Sequence, residues 1–166
     1  MIVYHPAYDI NHCAFRFISL LSDVENYEMN WDSLKILDFY YVFPHLLEQV
    51  RLPKNLIANK NTLSRIPLSY ETLPNPQRLM FGLSALHNEA ARALIARRLI
   101  DKDLFLKNIV KLDIYHLPAS LAEVIISSQQ RKTVWYSLLV NVLAQYPTEG
   151  NNGLKSRTNL MEYRYD

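Results

Sequence analysis

The sequence is poor in the residues that mark familiar chemistry. It has one cysteine, Cys13, and three glycines, at 82, 150 and 153. Nowhere does it offer the ~18 uninterrupted apolar residues that would span a bilayer. A lone cysteine closes no intramolecular disulfide and builds no cysteine cage for a metal, which points to a reducing compartment. With so few glycines there is neither a Walker A loop nor a dinucleotide fingerprint, so nucleotide hydrolysis of those kinds is excluded. The opening stretch MIVYHPAYDINHC lacks the basic and apolar regions of a secretion signal, and a cytoplasmic location is expected.

What the 166 residues do have is apolar mass: 49% are hydrophobic, enough to furnish the core of one domain. The formal charge of +2 is too small to mark a nucleic-acid binder, but it is unevenly spread. Residues 1–50 hold two basic side chains against seven acidic ones, a net of −5, so the remainder carries +7. Such polarity either suits docking to charged partners or is consumed when the two halves pair in the fold.

Periodicity supplies the elements. Asp9 can cap a helix over 10–22, in which Ile10, Cys13, Ala14, Phe17, Ile18 and Leu21 recur at three- and four-residue spacing. Asn30 or Asp32 caps the next, whose Leu34–Leu47 stretch is apolar around most of its circumference, with Asp38 the main interruption. Pro44 should kink or restart it before Val50. Two faces of that helix need covering: it is either the central core helix or the bearer of a partner-facing aromatic patch around Phe39, Tyr40, Tyr41 and Phe43. Residues 51–75 read as a connector. Asn75 and Pro76 then open a long helix over 76–98 with a stripe at Leu79, Leu83, Leu86, Ala90 and Leu94.

A short helical turn follows Asp101, and the β-branched alternation at 109–112 predicts a strand. Further helices are expected from Pro118 through Ile126 and across TVWYSLLVNVLAQY, stopped by Pro147. The expected fold is mainly α: one helical domain over 1–147, of about five helices with a minor β element, winged-helix-like around 76–116. A flexible C-terminal tail is expected over 148–166.

Candidate catalytic groups do not converge in this pattern. The histidines, at 5, 12, 45, 87 and 116, include no pair at helical three- or four-residue spacing. His87 and Glu89 lie two apart and point in different directions. Cys13 falls on the apolar face of the first helix, where a buried, inert thiol is expected. Asp32 and Asp38 are six apart, and Asp101 and Asp103 flank Lys102 in a polar turn. The expectation is a protein that is not an enzyme, with no cofactor and no metal. An unrecognised hydrolase would need activity that is lost, without unfolding, when His5 or His12 is replaced.

A basic cluster of Arg92, Arg97, Arg98 and Lys102 ends the long helix, with Lys107 and Lys111 around the strand. Positive charge there is favoured by the helix dipole, and the same residues could meet DNA phosphate or a partner's acids.

Three strings, YHPAYDINHCAFRFISLL, ILDFYYVFPHLLEQVRLP and LMFGLSALHNEAARALIARRLID, occur in this order, with LP after the strand. Together they resemble the middle components of bacterial ABC-three-component systems, among them the small middle subunit of Lamassu-type anti-phage and anti-plasmid defence complexes. The likeness spans roughly residues 3–125, and its strings are aromatic and aliphatic rather than catalytic. It implies a non-enzymatic adaptor that bridges an SMC-like ABC ATPase and an effector subunit, often a nuclease, with DNA met through the complex. Expected partner-binding residues are Tyr4, His5, Tyr8 and Asp9, then Tyr40 and Tyr41, then Arg97, Arg98 and Lys102. The rival expectation is a stand-alone winged-helix DNA-binding regulator, whose duplex binding would weaken steeply with salt.

Overall fold

The computed structural model describes residues 6–56, 63, 65–66 and 75–161. Helix α1 (Ile10–Ser22) starts where Asp9 caps it, the Asp9 carboxylate accepting the His12 backbone N–H at 2.9 Å. Its buried face carries Cys13, Ala14, Phe17, Ile18, Leu20 and Leu21. Strand β1 (Glu28–Asn30) leads into α2 (Trp31–Val42), capped by Asn30, whose Oδ1 accepts the N–H of Asp32 at 2.9 Å. As Pro44 requires, α2 ends at Val42 and the chain continues as a 3-10 turn over Pro44–Gln49.

Asn75 caps α3 (Pro76–Ala96), its Oδ1 accepting the Arg78 N–H at 2.8 Å. The short α4 (Lys102–Phe105) is capped by Asp101, and strand β2 (Ile109–Lys111) follows. The strands pair antiparallel in the register Glu28↔Lys111, Met29↔Val110, Asn30↔Ile109, and a single bridge joins Leu112 to Ile100 on the far side. A helix, a turn and a strand closing back on β1 is thus the order over 76–116.

Helix α5 (Ala119–Ser127) begins after Pro118 and buries only Ile125. Helix α6 (Val134–Asn141) is capped by Thr133 and ends earlier than its apolar pattern suggests, passing into a 3-10 turn at Leu143–Gln145 before Pro147.

Packing decides one alternative the sequence left open and corrects one expectation. The aromatic helix α2 is the core helix: α1, α3, α6 and α7 (Leu154–Thr158) all pack on it, so its nearly continuous apolar circumference is covered by the chain itself. Residues 148–161 are no flexible tail. Leu154 and Leu160 are fully buried, Arg51 N–H donates to the Arg157 carbonyl at 3.0 Å, and Lys155 reaches Asp32 at 2.9 Å. Residues 162–166 lie outside the described part. No described helix is long and apolar enough to cross a membrane.

Candidate partner-binding groove

Of the expected partner-binding residues, Tyr4 and His5 lie outside the described residues. Tyr8 is exposed and Asp9 is the cap of α1. Tyr40 is 2% exposed and faces the core, stacked edge-on against Phe39 at 5.2 Å, so it presents nothing to a partner. Tyr41 is half-buried beneath α6, with Trp135 5.3 Å and Tyr136 5.9 Å away. It borders a groove of about 700 Å³ together with Ala7, His12 and Val124, close to Tyr8 and Asp9 in the chain. Arg97, Arg98 and Lys102 are exposed.

Arg98 and Lys102 border a larger groove, of about 1030 Å³, between the end of α3, the outward face of the sheet and the turn over 112–116. Its geometry follows from the strands. Side chains alternate across a strand, so Val110 and Leu112 point inward and are buried while Glu28 and Lys111, paired in register, point outward and form an ion pair at 3.1 Å. The Asp101 N–H donates to the Lys111 carbonyl at 3.3 Å, which sets Asp101 beside this row.

One wall is made by the way α3 stops. Leu99 N–H donates to the Leu94 carbonyl and Arg98 N–H to the Ile95 carbonyl, both at 2.9 Å, the pair of crossed bonds that caps a helix around a left-handed residue. Glycine usually fills that position; here it is Arg98, at φ 59°. The opposite wall holds Asn26 and Tyr27, at φ 55° and 57°, and the exposed Ile114 and Tyr115. Asp113 accepts from Tyr115 N–H at 3.0 Å, and the His116 Nδ1 beside it at 2.8 Å holds its carboxyl below the usual range. Of this lining the sequence pattern singles out Arg98 and Lys102 but not Tyr27 and Tyr115, which lie in no periodic pattern.

The strongest concentration of buried chemistry lies elsewhere, among α1, α2 and α3. Asp38 has no solvent exposure; Arg16 Nε donates to its Oδ1 at 2.6 Å and Arg16 Nη2 to its Oδ2 at 3.0 Å. His87 Nε2 lies 3.0 Å from the same Oδ2, and its Nδ1 is buried with no hydrogen-bond partner. Burial pushes the Asp38 carboxyl up, but the His87 hydrogen bond and the Arg16 charge outweigh it and hold the group below its ordinary value. Burial, then the Asp38 charge, pushes the Cys13 thiol well above its ordinary value, so it stays protonated and unreactive. Cys13, Asp38 and His87 offer ligand atoms within 4.8 Å of one another. Within this set the Arg16–Asp38 ion pair and the Asp38–His87 hydrogen bond tie three helices together.

No curated protein and no solved structure matches the chain. A family model does, over residues 2–166, and so includes the last helices that the resemblance over 3–125 left uncovered. The chain belongs to the family described as ABC-three component (ABC-3C) system Middle Component 5.

Proposed function

We propose that this chain is a non-enzymatic adaptor in a bacterial anti-phage or anti-plasmid defence complex of the Lamassu type. In this reading it binds an SMC-like ABC ATPase and an effector subunit, so that movement in the ATPase changes the activity of the effector, a nuclease by expectation. The observation that carries the reading is membership of a middle-component family across nearly the whole chain. The geometry is compatible with it in a specific way. Among the described residues the buried carboxylate, that of Asp38, is engaged in holding helices together, whereas exposed basic and aromatic side chains line a groove.

Co-expression with the neighbouring genes of the same system tests it. A tagged chain is expected to elute in a stable assembly of defined mass that contains the ATPase, with DNA bound by the assembly and only weakly by the chain alone. A lone monomer or homodimer that retards a DNA duplex, with binding falling steeply as salt rises, would replace the adaptor with the winged-helix regulator. That second reading draws on the α3–turn–β2 arrangement, but the exposed Arg92 on α3 is already paired with Glu89 at 2.8 Å.

A further inference from the structure

We propose that the groove between the end of α3 and the outward face of the β1–β2 sheet holds an acidic peptide segment of a partner subunit. A carboxylate of that segment sits against Arg98 and Lys102, and an apolar side chain sits against Tyr115. The inference rests on the adaptor reading and names the surface and the chemistry by which one partner is held.

The charges around the groove decide between a peptide and a nucleic acid. Arg98, Lys102 and Lys111 line it, and so do Glu28, Asp101 and Asp113. A phosphate backbone laid along it would meet three carboxylates, which removes the electrostatic gain that nucleic-acid binding depends on. A peptide needs only local complementarity, and this is available. Glu28 is occupied by Lys111, Asp113 by His116, and the Asp101 carboxylate by the Leu104 N–H at 2.8 Å. Among the described residues, Arg98 and Lys102 have no ion-pair partner, so two cations are left for carboxylates from outside.

Apolar surface and backbone strain mark the same place. Tyr115 is 93% exposed, far more than an aromatic ring needs to be in a chain with this much core, and Tyr27 and Ile114 are exposed beside it. Exposed tyrosines beside an arginine are the composition from which interface hot spots are made. Six non-glycine residues among those described have left-handed backbone, and three of them, Asn26, Tyr27 and Arg98, line this one groove. Strain of that kind persists where the fold holds a site in shape, and here it sets both walls.

The test uses the full chain and its co-encoded ATPase and effector. Labelled synthetic peptides tiling those two subunits, and a random-sequence DNA duplex, serve as probes in fluorescence anisotropy. An acidic peptide is expected to bind the native chain. Its affinity should fall about tenfold or more for Arg98→Glu with Lys102→Glu and for Tyr115→Ala, changes at exposed positions. The same peptide with lysine in place of its acids should bind the doubly reversed variant better than the native chain. Assembly of the three subunits that is unaffected by these variants, or an acidic peptide that binds them as well as native, would overturn the groove assignment and leave the adaptor reading intact. Failure of the subunits to associate at all would overturn both. Duplex binding that the double reversal abolishes, with no peptide bound, would reassign the groove to nucleic acid.

Discussion

Asp38 is the residue whose surroundings demand most of the fold, because a carboxylate with no exposure is stable only while its partners stay in place. Asp38→Asn keeps the shape but leaves Arg16 buried without a counter-charge; a loss of about 3–5 kcal/mol is expected, read as a lower urea midpoint. The same carboxyl contributes to the loss of stability in acid. Its folded pKa is lowered, so its contribution is present above the unfolded value near 3.9 and lost as pH falls below it. Urea midpoints measured from pH 7 down to 3 should therefore drop more steeply for the native chain than for Asp38→Asn. Arg98 makes the opposite case. Arg98→Gly at φ 59° should raise stability by about 0.5–1 kcal/mol, because left-handed backbone that is costly for arginine is open to glycine. Equal or lower stability by thermal melting would show that the arginine stem contributes packing that outweighs the strain. In the sequence Asp38 is visible as the interruption of an apolar helix. Its partners are not, since Arg16 lies 22 and His87 49 positions away and no local spacing links them.

Elements whose ends are set by local chemistry were legible. Asp9, Asn30 and Asn75 cap α1, α2 and α3, and Pro44 ends α2, because side-chain caps and a missing amide act within one turn. The role of α2 needed tertiary context: its apolar circumference was consistent with a core or a docking patch, and only the helices packed around it decide for the core. The C-terminal α7 was illegible for a related reason. Five helical residues with a single leucine, Leu154, carry no periodicity, and the two glycines before them read as linker. Yet Gly153 is there for contact, since a Cβ at that position would lie 2.2 Å from the Glu149 carbonyl oxygen. Leu154→Ala should cost about 2–5 kcal/mol in urea denaturation, as expected for a large-to-small change at a fully buried leucine. A mobile tail would show no change.

At the scale of the whole molecule, the uneven charge of the sequence is largely an internal matter. Acids of the first fifty residues are met by bases of the rest: Asp23 by Arg131, Glu28 by Lys111, Asp32 by Lys155. The excess that composition offers to partners is smaller than the −5 and +7 of the two parts suggest, and Arg98 and Lys102 are among what remains. These cross-chain pairs differ in worth by burial. Glu28 and Lys111 are both more than a third exposed, and solvent screens them; Asp23 and Arg131 are half-buried, with Tyr136 Oη donating to Asp23 at 2.8 Å as a third member. A double-mutant cycle of Asp23→Asn and Arg131→Met should give a coupling of about 1–2 kcal/mol that persists in high salt. The matching cycle at Glu28 and Lys111 should give less than about 1 kcal/mol and vanish as salt is raised. Equal couplings at the two sites would mean that burial does not set the strength of these pairs. The neutralisation would then be spread evenly over the surface, and salt that weakens the complex would weaken the fold with it. With unequal couplings, moderate salt should release a partner held by Arg98 and Lys102 while the chain itself stays folded, which a salt titration of the complex followed by circular dichroism would read directly.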